Sequence, residues 1–274
     1  MGSFQTGLTG LDRDIGYFAE GNLTTVVSAL DGEASVLVVN MLRHMVFEAD
    51  ARALVLLPGH SADVFEQRLR GACTGVPHQA VADGRLSDRQ RTALDRYAKR
   101  RAEAPLTVAT PRQVYTDGID DAIDPYGPQD VIVVDAVQML ESVEPGFTDW
   151  GEQLPKEPRE VELSKASRAL KHLAIRYQAT VIAVGRHITK HTPDAERLLA
   201  VAENSAAAFE AFLQDSDLVL EVHVGPSRGP RDTRRGVLIR KNRWGRDKQW
   251  VSVGIEHETS TVIDFGSPGR GSGS

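Results

Sequence analysis

Apolar residues along this chain recur in two patterns, short unbroken runs and stripes of helical period. Leu23–Ser28, Ala53–Leu57, Leu106–Ala109, Val131–Asp135 and Thr180–Val184 are nearly continuous apolar runs. They lack the apolar–polar alternation of half-exposed strands, so they predict parallel strands covered on both faces. Helical stripes lie between them. Ser61 opens one that carries Val64, Phe65, Arg68 and Leu69. Ser87 and Gln90 have the spacing of a capping box ahead of a helix running to about Glu103. Thr110-Pro111 has the N-cap and first-turn preference of a third helix. Leu163, Ala166, Leu170, Leu173 and Ala174 form one stripe of a helix spanning Leu163–Tyr177.

This alternation predicts an α/β fold with a central, mainly parallel twisted sheet flanked by helices. Beyond Asp217 the texture changes. Asp217–Val224, Gly236–Lys241, Gln249–Gly254 and Ser260–Phe265 are short strand-like runs joined by turns, which predicts a C-terminal antiparallel extension. Residues 141–160, with Pro145, Pro155 and Pro158, read as a loop, and Gly266–Ser274 as a disordered tail with nothing to bury. No boundary interrupts residues 1–265, which are expected to form a single domain.

Composition narrows the class. The 274 residues carry 32 Lys plus Arg against 38 Asp plus Glu, a formal charge of −6, which excludes a polybasic protein. A single cysteine, Cys73, excludes a disulfide framework and multi-cysteine zinc sites, and no apolar run is long enough for a bilayer. A cytoplasmic setting without membrane association is expected. The charge is unevenly spread. Arg228–Lys248 holds nine Arg or Lys against two Asp, a net +7 that leaves −13 for the remainder. Such clustering suits phosphates, an acidic partner or a subunit edge. Trp244 and Trp250 lie within or beside it, with sheet packing favoured over base stacking. His187 and His191 have helical spacing, but no third ligand is near, and no metal site is assigned.

In a parallel sheet of this kind, the turn after the first strand is where phosphate binds. A P-loop there reads G-x-x-x-x-G-K-[ST]. This chain has Ser28-Ala29-Leu30-Asp31-Gly32-Glu33-Ala34-Ser35. In one register the lysine position is Ala34, with Glu33 on the preceding glycine; in the other it is Glu33, with Gly32 on the glycine. Neither supplies a cation. A carboxylate at Glu33 would repel phosphates, and only Ser35 remains as a magnesium-ligating hydroxyl.

Context gives this stretch more meaning. Thr6-Gly7-Leu8-Thr9-Gly10-Leu11-Asp12, followed by Gly16 and Gly21-Asn22-Leu23, resembles the opening motif of the RecA-like domain in DnaB-type replicative helicases. Val131–Leu140 (VIVVDAVQML) resembles that family's Walker B strand, with Asp135 at the magnesium-ordering aspartate. Leu163–Ala174 and Gln214-Asp215-Ser216-Asp217-Leu218 also match family segments. Lys241-Asn242-Arg243-Trp244-Gly245 resembles the segment carrying the trans-acting lysine and arginine finger. The matches run in order from about residue 4 to residue 265. The resemblance implies a RecA-like P-loop NTPase fold. By position it also implies that the stretch from Arg186 to about Ala208 includes a loop gripping single-stranded DNA, with Arg186, Lys190 and Arg197 as phosphate contacts. Arg231, Arg234 and Arg235 are further candidate DNA contacts from the basic segment.

Departures from the family are equally specific. Its catalytic glutamate position, after the second strand, is Gly59 here, and its γ-phosphate-sensing glutamine is Arg186. With Ala34 or Glu33 at the lysine position, the phosphate lysine, the base and the sensor are all missing. Phosphoryl transfer rests on positioning and charge neutralisation, so their loss implies a protein that keeps the fold without hydrolysing ATP. It would bind DNA or a replication partner, as a homo-oligomer or in association with a related helicase ring. Two alternatives stay open: an active 5′→3′ helicase whose rearranged site uses ATP and Mg²⁺, with Arg186 as a substitute cation, and a regulatory recombinase-like module. The N-terminal helical domain of the resembled helicases has no counterpart in the sequence, so the chain reads as a fragment or as a protein working without it.

Overall fold

The architecture is that of a computed structural model, which describes residues 3–28, 32–58, 60–141, 158–186, 210–224 and 233–265. In chain order the elements are α1 (Thr9–Ile15), β1 (Leu23–Ser28), α2 (Glu33–Phe47), β2 (Ala53–Leu56), α3 (Ala62–Thr74) and α4 (His78–Ala82). Then come α5 (Asp88–Glu103), β3 (Leu106–Ala109), β4 (Val131–Asp135), α6 (Arg159–Tyr177) and β5 (Thr180–Arg186). Four strands finish the described chain: β6 (Leu218–Val224), β7 (Arg234–Asn242), β8 (Gln249–Glu256) and β9 (Thr261–Asp264).

All nine of these strands join one sheet in the order β3-β2-β4-β5-β1-β6-β7-β8-β9. Strands β1 to β6 are mutually parallel and β7 to β9 antiparallel. The fold class expected from the hydrophobic pattern is therefore the one observed. Strand pleating sorts the core into two layers. In β4, Val131 and Val133 face α2 and α3, while Ile132 and Val134 face α6. The stripe on α6 (Leu163, Ala166, Leu170, Leu173, Ala174) is buried against that second face. Helix α2 carries buried residues around most of its circumference, because it lies beneath α3 while crossing the sheet toward β9.

Caps decide the helix boundaries. Ser61 accepts from the Asp63 amide to open α3, and Ser87 with Gln90 completes a full capping box on α5. The helix expected at Thr110-Pro111 does not form. Val114 is buried and Tyr115 bridges to Glu141, so the chain stays extended until a 3₁₀ turn at Thr116–Ala122. That turn is kinked at Gly118, and Pro125 follows in a second 3₁₀ turn at Asp124–Tyr126, which together prevent a long helix. Helix α6 begins at Arg159, inside the stretch read as a loop; the rest of that stretch from residue 142 to 157, and the tail from residue 266, lie outside the described residues.

The opening motif is a structural device. Asp12 accepts hydrogen bonds from the Thr6 amide (2.7 Å), the Thr6 hydroxyl (2.7 Å) and the Gly7 amide (3.1 Å), closing a turn in front of α1. Gly7 has φ +76°, and a Cβ there would meet the His44 ring at 2.5 Å, so glycine is required on both counts. Among the described residues no helix is long and apolar enough to cross a membrane.

Candidate functional site

A cleft of about 380 Å³ opens at the C-terminal ends of β1, β4 and β5, beneath α3. This is the end of a parallel sheet where helix N-termini and strand ends converge on ligands. Ser28, Gly32, Ala34, Ser35, His60, Arg68, Asp135, Gln138 and Arg186 all line it.

The floor comes from the turn between β1 and α2. Ser28 Oγ accepts from the Ala34 amide at 3.1 Å, which secures the first turn of α2 to the end of β1. Gly32, the N-cap, has φ +82°. A Cβ on it would lie 2.5 Å from Arg68 Nη2, so the glycine also makes room for that guanidinium. Ala34 lines the cleft and Glu33 does not.

Glu33 turns to the other side of α2. Its Oε1 accepts from Arg235 Nε at 2.5 Å and lies 3.6 Å from His257 Nε2. The two side chains of the Glu33–Arg235 pair are 1% and 9% exposed, so this is a buried ion pair joining α2 to β7. Two sequence expectations change as a result. The carboxylate of Glu33 does not confront the cleft, because Arg235 neutralises it inside the protein. Arg235, in turn, is committed to that pair and does not present its guanidinium to solvent as a DNA contact would. Arg234, its neighbour, is half-buried at the start of β7. Lys190, Arg197, Arg231, His187 and His191 lie outside the described residues.

Asp135 ends β4, an interior strand between β2 and β5, so it does not cap a sheet edge. The peptide that follows it, Asp135–Ala136, is cis. Ser35 hydrogen-bonds to its carboxylate, bringing together the two groups that a magnesium ion would use. Burial pushes the Asp135 carboxyl above the usual carboxylate range, against the opposing pull of Ser35, Arg68 and His60. An acid with a raised folded pKa weakens the fold as pH rises through the interval between its unfolded and folded values. Asp135→Asn is therefore expected to raise Tm at neutral pH, by less than about 1 kcal/mol in stability. A fall in Tm would show that the carboxylate supports the fold.

Arg186, at the end of β5 opposite Ser28, is half-buried and lines the same cleft. Arg68 reaches it from α3 and makes no hydrogen bond or ion pair with another described residue. In the sequence Arg68 stands out only as part of a helical stripe. The available signal is its spacing, four residues after Val64, which also lines the cleft.

Lys241 and Arg243 stand elsewhere. They sit at the opposite end of the strands from the cleft, where β7 finishes beside the starts of β1 and β6. Lys241 Nζ donates to the Leu213 and Gln214 carbonyls (2.8 and 2.9 Å), and burial lowers its pKa. Arg243 bonds to Asp217 at 3.0 Å and lies over the Trp244 ring. Asp217, 2% exposed, also accepts from Lys171 (2.6 Å) and the Leu23 amide (3.0 Å). Burial alone would raise its carboxyl, but these donors outweigh it and the net shift is downward. A lowered acid stabilises above the ordinary carboxylate range and loses that contribution as pH falls through its own lower value. Asp217→Asn is expected to cost about 2–3 kcal/mol at neutral pH. Its deficit relative to the parent should narrow in melts carried into acid below the ordinary carboxylate range.

Trp244 is 71% and Trp250 48% exposed; the Trp250 ring packs against Gly236 and His223. Trp250 thus packs on the sheet, as expected, whereas Trp244 lies beyond β7 beside Arg243. No group of three or more potential metal-ligating side chains occurs among the described residues.

With this geometry in place, known proteins supply a context. The sequence model described as "DnaB-like helicase C terminal domain" matches residues 3–261. No curated protein sequence matches the chain. Among solved structures, one described as an ATPase domain superposes with a TM-score of 0.75 at 16% identity, covering 95% of this chain and 90% of that one. A DnaB-like replicative helicase, solved for its interactions with primase, gives 0.74 at 16% identity over 94% of this chain and 61% of that one. The RadB recombinase gives 0.53 at 15% identity over 95% and 99%. At these identities the likeness to the solved structures is one of fold.

Proposed function

This chain belongs to the DnaB-like helicase C-terminal domain family, and from that premise we propose that it serves DNA replication as a RecA-fold module that does not hydrolyse ATP, binding DNA or a replication partner instead. One observation carries the reading. The side chains lining the cleft from the first turn of α2 are Ala34 and Ser35, and neither is the cation that triphosphate chemistry needs there. The only carboxylate among the described residues lining the cleft is Asp135, already engaged by Ser35. Gly59, at the position where the family carries its base, has no side chain to activate water. The cleft thus offers Ser35 and Asp135 to a magnesium ion but no lysine from the first turn of α2 to the phosphates that would share it.

Lys241 and Arg243, at the far end of the strands, are too distant to complete this cleft within one chain. In this reading they belong to a contact with a neighbouring subunit or a related helicase ring. A second reading, a working motor, draws support from the same Ser35–Asp135 pair and from Arg68, a cation delivered over Gly32 from α3. Nucleotide turnover by the purified chain with single-stranded DNA separates the two readings.

A further inference from the structure

On the α2–α3 side of the sheet, away from the cleft, lies a concavity of about 490 Å³ between the C-terminal end of α2, the end of α3 and one face of α5. Its floor is apolar: Phe47 and Tyr97 meet with ring centroids 6.3 Å apart, and Ala93 lies beside them. Its wall is cationic. Arg89, Arg96 and Arg100 all line it, spaced seven and four residues apart on one face of α5. At 1.5 Å rise per residue the three guanidinium stems span roughly 16 Å.

These charges are not compensated from within. Glu66 is taken by Arg101 at 2.6 Å, and Glu48 by Arg43 (3.2 Å) and His44 (2.9 Å). Asp88 faces Arg91 instead. Arg89 and Arg96 have no hydrogen bond or carboxylate partner among the described residues. Arg100 donates to the Phe47 carbonyl at 2.8 Å and covers that ring at 5.3 Å. A protein that leaves three arginines beside an apolar hollow has the composition of an interface anchor, since arginine and aromatic residues dominate such centres.

We propose that this groove docks an acidic segment of a partner protein, one that sets carboxylates against Arg89, Arg96 and Arg100 and places an apolar side chain against Ala93 and Tyr97. A span of roughly 16 Å corresponds to about five residues of extended chain, so a short peptide suffices. Single-stranded nucleic acid fits less well. Base stacking needs an open ring face, and the Phe47 face is already covered by Arg100. The proposal is independent of whether the nucleotide cleft works.

The test is fluorescence anisotropy at low salt, using the full chain and a short labelled peptide that alternates aspartate with leucine. Wild type is expected to bind it. The double variant R89E/R96E should weaken binding at least about tenfold, which corresponds to about 1.4 kcal/mol. The same variant should gain affinity for a peptide alternating lysine with leucine, a rescue that loss of folding does not give. Both side chains are exposed, so Tm should not change. No binding by wild type, or binding insensitive to R89E/R96E, would overturn the proposal. So would loss of affinity for an oligothymidylate, rather than for the acidic peptide, in that variant.

Discussion

Replacing Glu33 by glutamine will destabilise the fold by about 3–5 kcal/mol, the usual cost of breaking a buried ion pair from one side. Glu33 and Arg235 are 1% and 9% exposed and 2.5 Å apart, so the guanidinium left behind has almost no access to water. His257 is 56% exposed and carries no countercharge, so it offers Arg235 no replacement. The glutamine carbonyl can still accept from Arg235 Nε, but it carries no charge to balance the guanidinium. Urea melts should show the loss as a lower midpoint with an unchanged slope. The double replacement Glu33→Met with Arg235→Met removes both charges and should recover most of the stability, because paired removal leaves no orphan. If Glu33→Gln alone is neutral, the pair does not tie α2 to β7.

The pair also bears on how the site is restored. Substituting Glu33 to rebuild a P-loop glycine would remove the buried countercharge that faces Arg235 and confound any gain with unfolding. Ala34→Lys alone is the cleaner variant, since Ala34 faces the cleft and Glu33 does not. It should introduce an ATP-dependent rise in Tm that the parent lacks.

A still larger effect is expected on turnover. In the proposed reading the lysine and the base are missing, and each contributes roughly 2–4 kcal/mol of transition-state stabilisation in sites of this type. Together they amount to about 4–8 kcal/mol, a deficit of about 10³ to 10⁶ in rate at 1.36 kcal/mol per tenfold. Ala34→Lys restores only one of the two, so hydrolysis should stay suppressed in that variant even where binding returns.

Much of this is legible in the amino-acid order because it is written in local pattern. Continuous apolar runs mark β1 to β5, and the Ser87–Gln90 spacing marks the start of α5. Asp135 and Ser35 are legible as candidates from the strand–turn–helix context, and the fold places them in contact. Pairings across long sequence separations are not legible. Nothing local to Glu33 announces a partner 202 residues away, so its charge reads as facing the cleft when Arg235 holds it elsewhere. Arg68 is hidden for a similar reason: its role depends on how α3 lies over Gly32, which only tertiary packing sets. The helix expected after Thr110 fails because burial of Val114 and the bridge from Tyr115 to Glu141 outweigh a favourable cap. Lys241 and Arg243 illustrate the converse, since their motif is recognisable while their distance from Asp135 is not.

The most direct measurement is ATP hydrolysis by the purified chain with Mg²⁺ and saturating single-stranded DNA, run beside Asp135→Ala. A rate at the protein-free background is expected for both, with no difference between them. Robust hydrolysis by the parent that Asp135→Ala abolishes would contradict the pseudo-ATPase reading, and would mean that Arg68 or Arg186 supplies the missing charge.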